Sequence, residues 1–540
     1  MLGLELVVIL GVAVLACNLA GRRFSVAPPV LLLVCGVLLG FVPALRQVRL
    51  PPDAVLLLFL PALLYWESLT TSPREIRRGL RNIALMGTVL VILTAGAVAV
   101  AAHALGLSWG PAWVLGAAVA PTDATAVGVL ARMLPRHDVT LLRGESLVND
   151  GTALVVYGLA VGITVGEEQL SAMHVTWLFL LAYLGGAAAG ALTAWVGGWV
   201  RHRLNDPMSE SAIMLLIPFT AFLFAESIEA SGVLAVVVCG LIMSQIGPRV
   251  GQAGARLQTV GFFSLSVFLL NGSLFVLVGM EWQSAVRGLT SLALVRASVA
   301  VVVVFVVLLG VRFAFLFVSD FLVRLLGHRP RRRARRVGDR ARVVSGVAGF
   351  RGAVTLAAAL AVPSVLDSGA PFPGRDVIVF VAAGVIAATL VVQGLLLPVV
   401  VRWAHLPPDT SVTAELRLAE TLATEEALAE MPRIAEDIGT DPEVLKRLRR
   451  EYETHLVILR STDSDSDLDT DADADTDADT DLAVRRAQDD AALRLAMIAR
   501  KRAVVLRLRD ERRIDDIVLR RIQAALDLEE VRLSRRPSSG

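Results

Sequence analysis

The sequence predicts an all-α polytopic membrane protein with a helical and disordered cytoplasmic tail. Three observations carry that prediction: an apolar composition, apolar residues gathered into blocks of bilayer length, and arginines concentrated in alternate gaps between the blocks. Of 540 residues, 55% are hydrophobic and 19% charged, and mean hydropathy is +0.65. Soluble domains use roughly 45–50% apolar residues. A formal net charge of +2 gives no reason to expect a nucleic-acid partner. Cys17, Cys35 and Cys239 sit singly inside apolar runs, and read as small buried hydrophobes with no disulfide or zinc framework.

A helix needs about 20 apolar residues to cross the hydrocarbon layer. Such runs lie at 2–20, 27–45, 51–71, 82–105, 109–133, 143–165, 172–200, 210–227, 231–247, 258–280, 289–326, 343–362 and 376–402, which makes about thirteen spans. The run at 289–326 reads as one span continuing into a solvent-exposed extension, because Arg312, Asp320 and Arg324 fall in its second half. Cytoplasmic loops hold the excess of positive charge. With the amino terminus outside, the inside loops take Arg22, Arg23, Arg74, Arg77, Arg78, Arg81, Arg132, Arg136, Arg143, Arg201, Arg203, Arg249, Arg256 and the dense RPRRRARRVGDRAR stretch at 329–342. The outside loops carry few arginines beside Glu167, Glu168, Glu229 and Glu281, so the carboxy terminus falls inside. The first run is followed, not preceded, by its arginines, and is expected to persist as a helix rather than be cleaved as a signal peptide.

The membrane domain is expected to span residues 1–405 and the cytoplasmic tail 406–540. Residues 411–459 and 482–533 place Ala, Leu, Glu and Arg at helical spacing. Between them every odd position from Asp463 to Asp481 is aspartate. That block repels itself and has nothing apolar to bury, so 463–481 reads as a disordered spacer. The glycine and glutamate of a calcium-binding loop are missing.

Ionisable groups inside membrane spans are costly and mark function by default. In AVAPTDATAVGVL, Pro121 removes a backbone donor and frees carbonyls near Val119 and Ala120. Thr122 and Asp123 then form part of a cation site, or Asp123 merely caps a kinked helix; the motif alone leaves both open. In GESLVNDGTALVVY, Ser146 and Asp150 share one helical face, while Glu145 and Asn149 form the adjacent stripe. One face offers a hydroxyl and a carboxylate to an ion. The next offers Glu145 to a partner, for which Arg351 in GVAGFRGAVTLAAAL is expected. Gly346, Gly349 and Gly352 weaken that second helix, and without a preceding strand they are no dinucleotide fingerprint. The two interrupted spans count as the fifth and twelfth; their odd displacement reverses orientation, as inverted repeats with crossing broken helices require. Glu67 in LPALLYWESL is a further candidate contact for the ion, and Glu226 in FLFAESIEASG reads as a helix end.

PTDATAV, GESLVNDGTALVVY and GFRGAVTLA, in that order, resemble the signatures of the monovalent cation:proton antiporter-1 family, the electroneutral sodium/proton exchangers that include the NhaP-type proteins. The resemblance covers residues 1–405 and not the tail. It implies exchange of Na+ (or Li+) for H+, with Asp150 as the ion- and proton-binding carboxylate and Ser146, the Thr122 backbone and Asp123 completing the site. It implies that Asn149 marks the electroneutral branch and that Glu145 pairs with Arg351. Glu67 falls close to an acidic position that follows an LPPLLF-like segment in the family, although Ala62 stands here in place of a common proline. No cofactor is implied beyond the transported Na+ and H+. The resemblance also implies a homodimer in the plasma (inner) membrane.

Asp150 is then expected to hold a proton or a sodium ion but not both, while Asn149 hydrogen-bonds without titrating. Potassium/proton exchange is the near alternative, because ion choice depends on cavity size and ligand number. An ion-sensing protein that signals through its tail to a cytoplasmic regulator is another. An enzyme is not expected, since no nucleophile, base and acid come together and no phosphate loop appears.

Overall fold

The computed structural model describes residues 2–24, 28–43, 52–123, 136–166, 172–204, 206–326, 339–405, 411–460 and 480–534. The aspartate-rich spacer up to 479, the second half of the fifth span from 124, the loop glutamates Glu167 and Glu168, and the arginine-dense stretch up to 338 lie outside the described residues. Among the described residues the chain is helical apart from its connections and one isolated bridge between Val365 and Pro371. It divides into two compact units.

The first unit comprises Met1–Val200, Ile213–Ser244 and Gly261–Pro408. Its helices begin with α1 (Leu2–Phe24), α2 (Pro28–Leu39) and α3 (Pro52–Thr70). Next, α4 (Pro73–Ala84) runs through a π-helical turn at Leu85–Leu90 into α5 (Val91–Ala104), followed by α6 (Trp109–Val119) and α7 (Arg136–Val165). Then come α8 (Ala172–His202), α9 (Pro207–Glu226), α10 (Gly232–Val250), α11 (Ala253–Gly288) and α12 (Ser291–Leu326). The short α13 (Asp339–Val347) and α14 (Ala353–Leu360) precede α15 (Arg375–Ala388), which passes through a second π-helical turn into α16 (Gly394–Ala404).

Nine stretches among the described residues are long and apolar enough to cross a membrane, and Pro28–Leu39, Leu56–Thr70 and Trp109–Val119 are shorter apolar helices. With the α13–α14 pair they follow the predicted runs one for one. The exterior is itself apolar: Leu184, Trp195, Leu292, Val302 and Leu395 are all exposed, as a lipid-facing surface requires. Glu226 does end α9, and its Oε1 accepts a hydrogen bond at 3.1 Å from the Gly232 amide at the start of α10.

One expectation fails here. The second half of the 289–326 run is no solvent-exposed extension at Arg312: α12 is continuous, and Arg312 is only 3% exposed. Hydropathy places an arginine at a helix end because burial is costly, and it does not register a carboxylate on another helix that removes the cost.

Two breaks define the centre of the unit. Helix α6 stops at Val119, two residues before Pro121, whose missing amide and ring prevent the helix from continuing. Residues 348–352 separate α13 from α14 in the glycine-rich stretch. Helix α14 packs against α3, α6, α7 and α15, which brings the two breaks together.

The second unit holds Asp409–Gly540 together with Arg201–Ala212 and Gln245–Val260, the chain around the α8–α9 and α10–α11 junctions. Its helices are α17 (Ser411–Ile438), α18 (Pro442–Arg460), α19 (Thr480–Asp510) and α20 (Asp516–Ser534). Ala419, Ala423, Val505, Leu508, Val518 and Leu519 form one core layer, and Ala427, Met431, Leu448, Tyr452, Leu493 and Met497 another. Charged pairs join the tail helices to the junction: Arg249 meets Asp510 at 2.9 Å. Asp527, 2% exposed, accepts hydrogen bonds from Arg256 Nε at 2.7 Å and from Arg502 at 2.8 Å. Removing one partner of a buried charge cluster leaves the others uncompensated. Asp527→Ala is therefore expected to cost the second unit about 2–3 kcal/mol, since Arg256 and Arg502 keep some solvent contact. A thermal melt combined with timed proteolysis of the tail measures it; an unchanged cleavage rate would remove Asp527 as an anchor.

Candidate functional site

The described part of the first unwound stretch meets the second, and the two are joined by main-chain and side-chain hydrogen bonds. The Asp123 amide donates to the Phe350 carbonyl at 2.9 Å. Arg351 donates through Nε to the Val119 carbonyl at 2.6 Å and through Nη1 to the Gly349 carbonyl at 2.6 Å. The break does free a carbonyl at Val119, because the Asp123 amide that would serve it in a continuous helix donates to Phe350 instead, and the Arg351 guanidinium takes up that carbonyl. Asp123 lies directly against Gly352, where a Cβ would overlap the carboxylate. Only glycine lets the carboxylate reach the start of α14, where the helix end favours negative charge.

The expected Glu145–Arg351 pair does not form. Glu145, 4% exposed, is held instead by Arg312 from α12, with Nη1 to Oε1 at 2.6 Å and Nη2 to Oε2 at 3.4 Å. The Nε of Arg312 also donates to the Ser345 carbonyl of α13 at 3.1 Å. Gly349 makes room for the arginine stem, since a Cβ there would press on Arg312 Cδ at 2.8 Å. The physical reason for the correction is local. Arg351 stands in an unwound segment beside orphaned carbonyls that take its donors, whereas Arg312 projects from an intact helix towards Glu145.

Beside the meeting of the two stretches lies a cavity of about 290 Å³. Glu67 of α3, Thr122 and Asp123 of the first break, Asp150 of α7 and Thr355 of α14 all line it, with Arg143 and Asn271. Asp150 is 4% exposed, and no other described residue donates a hydrogen bond to it or pairs with it. Glu67 is hydrogen-bonded by the Ser146 hydroxyl and faces the Arg143 guanidinium, while its Oε1 is buried without a partner. Ser146 thus turns to Glu67, although it shares a helical face with Asp150. Asn149, 1% exposed, donates through Nδ2 to the Thr122 hydroxyl at 2.6 Å. Neither Ser146 nor Asn149 lines the cavity.

The cavity therefore gathers Asp150, Asp123, Thr122 and Glu67, with Ser146 and Asn149 as supports behind it. An ionised carboxylate without a counter-charge is costly away from water. Asp150 requires either a proton or a cation, and residues with oxygen-bearing side chains from α3, the first break, α7 and α14 line the cavity. Sequence reasoning missed four residues: Arg312, read as exposed; Arg143, read as loop charge; and Asn271 and Thr355, polar residues inside apolar runs.

Comparison with known proteins bears on this arrangement. The family model described as the transmembrane sodium/hydrogen exchanger matches residues 8–403. A protein of Mycobacterium tuberculosis named an uncharacterized Na+/H+ exchanger is 44% identical over 533 residues, covering 98% of this chain and 96% of the relative. A sodium, potassium, lithium and rubidium/H+ antiporter of Bacillus subtilis is 29% identical over 400 residues, covering 71% of this chain and 59% of that one. Among solved structures, the sodium proton antiporter MjNhaP1 of Methanocaldococcus jannaschii at pH 8 aligns with a TM-score of 0.57 and 16% identity, over 75% of this chain and 100% of that chain. The last likeness is one of fold.

Proposed function

Because the chain belongs to the sodium/hydrogen exchanger family, we propose that it exchanges Na+ (or Li+) for H+ one for one across the plasma membrane, in pH and sodium homeostasis. A single observation supports this most: Asp150 is a buried carboxylate with no counter-charge among the described residues, on a cavity beside the unwound stretches that end α6 and precede α14. Such a group binds a proton and a cation in competition, and alternating access then couples their opposite movements. The neighbouring Asn149 carries no charge and is engaged with Thr122. That neutrality favours one exchanging charge at Asp150 and no net charge transfer. The arginine distribution favours an external amino terminus and a cytoplasmic tail, and the family resemblance favours a homodimer.

Potassium/proton exchange is the second reading, favoured by the breadth of cations named for the Bacillus relative. Everted membrane vesicles with a preformed proton gradient test both. Addition of Na+ or Li+ is expected to collapse the gradient, K+ much less, and clamping the membrane potential should leave the rate unchanged. Equal responses to K+ would favour the second reading. Absence of any cation response, with tail-dependent binding of a partner intact, would replace both with ion sensing.

A further inference from the structure

We propose that the hydroxyl of Thr355 is a direct oxygen ligand of the transported cation, the contribution of α14 to the site; the inference rests on the exchange reading above. Thr355 is the third residue of α14 and is 1% exposed. It lines the same cavity as Asp150, Glu67 and Asp123, and its Oγ1 has no hydrogen-bond partner among the described residues.

Threonines inside helices normally satisfy the hydroxyl on the carbonyl four residues back. Four others in this unit do so: Thr94 on Leu90 at 2.7 Å, Thr152 on Val148 at 3.0 Å, Thr164 on Ala160 at 2.6 Å and Thr193 on Ala189 at 2.9 Å. For Thr355 the residue four back is Arg351, which stands in the unwound segment before α14. The first helical bond at that end runs from Leu356 to Gly352. The break thus releases the Thr355 hydroxyl from its usual acceptor. A buried hydroxyl left in that state loses its hydration with nothing in return, and the cavity that Thr355 lines offers space for a partner.

The chemistry fits a monovalent cation. A hydroxyl oxygen has two acceptor lone pairs and is a neutral ligand for a hard ion. It adds coordination without adding charge, so it affects how tightly and which cation is held and leaves the number of exchanged protons unchanged. Helix α14 has little else to offer. Its amino-terminal end repels a cation, and Asp123 already lies against Gly352 there.

Two readouts on the full-length protein test the assignment. In proteoliposomes, Thr355→Val should raise the apparent KM for Na+ and Li+ about five- to tenfold, the scale of one lost hydrogen-bond-strength contact, with a smaller change in Vmax. Thr355→Ser should restore the wild-type KM to within about twofold, because it keeps the oxygen. In detergent, the Li+ or Na+ concentration giving half-maximal thermal stabilisation should move by the same factor in Thr355→Val and return in Thr355→Ser. An unchanged KM and an unchanged stabilisation midpoint in Thr355→Val would overturn the proposal, as would a serine variant that behaves like valine. If wild-type protein shows cation-dependent stabilisation without cation-driven proton movement, the exchange reading fails while the ligand assignment is still decided by the stabilisation midpoints. Running Li+, Na+, K+ and Rb+ through both readouts covers the potassium alternative.

Discussion

Asp150→Asn is expected to abolish cation-driven proton movement, by at least about 100-fold, while leaving a folded protein. Asparagine has nearly the same shape and keeps hydrogen-bonding capacity, but it neither takes up a proton nor neutralises a cation. Asp150 is 4% exposed and makes no hydrogen bond or ion pair with another described residue, so the substitution breaks no such contact among them. Removing an uncompensated buried charge should leave the melting temperature unchanged or raise it. The two measurements together are diagnostic: loss of transport with retained or increased stability marks a group that exchanges ions. Asp150→Glu is expected to fall between, because an added methylene displaces the carboxylate by about an ångström from ligands fixed on other elements. Asp123→Asn should behave differently and lose stability as well as rate, since its carboxylate lies against Gly352 at the start of α14. Substantial exchange in Asp150→Asn vesicles would move the ion site away from α7, with Glu67 the next carboxylate on the cavity to examine.

The parts of this site that were legible in the sequence are those whose chemistry is written along the chain. Pro121 breaks α6 where a missing amide must break it. Three glycines among seven residues around Arg351 mark the second break. An apolar run of about 20 residues is a helix whatever its neighbours are. What depends on neighbours was not legible. Arg312 looks like the end of a span because its partner, Glu145, is 167 positions away in sequence. Arg351 looks like the natural partner because it is the one arginine well inside an apolar run of the C-terminal third, yet the breaks supply the carbonyls that occupy it. Ser146 shares a face with Asp150, but α3 places Glu67 within its reach. Thr355 is unremarkable in sequence, since most helical threonines bond backward. Only the position of the break, three residues before it, distinguishes Thr355 from Thr94 or Thr193.

Breaking the Glu145–Arg312 pair should have the largest effect on stability. Both side chains are almost completely buried and bonded at 2.6 Å, and removing either leaves a charge in a low-dielectric interior, a cost of about 3–5 kcal/mol. Glu145→Gln and Arg312→Ala should each lower the melting temperature in detergent and reduce the amount of folded protein in the membrane. Arg312→Ala should be the more damaging, since it also removes the donor to the Ser345 carbonyl. The double variant should lose clearly less than the sum, because the second substitution removes the charge that the first left unpaired. Glu145→Gln combined with Arg351→Ala should come much closer to additivity: Arg351 is bonded to the carbonyls of Val119 and Gly349 and not to Glu145. Stronger coupling of Glu145 to Arg351 than to Arg312 would overturn the pairing. The contact has a consequence beyond stability. Glu145 sits on α7 five positions before Asp150, and Arg312 ties that helix to α12 and, through Ser345, to α13. The helix that carries Asp150 and the segment leading into the second break are therefore held by one guanidinium. A conformational change that carries Asp150 between the two faces of the membrane would move them as one body.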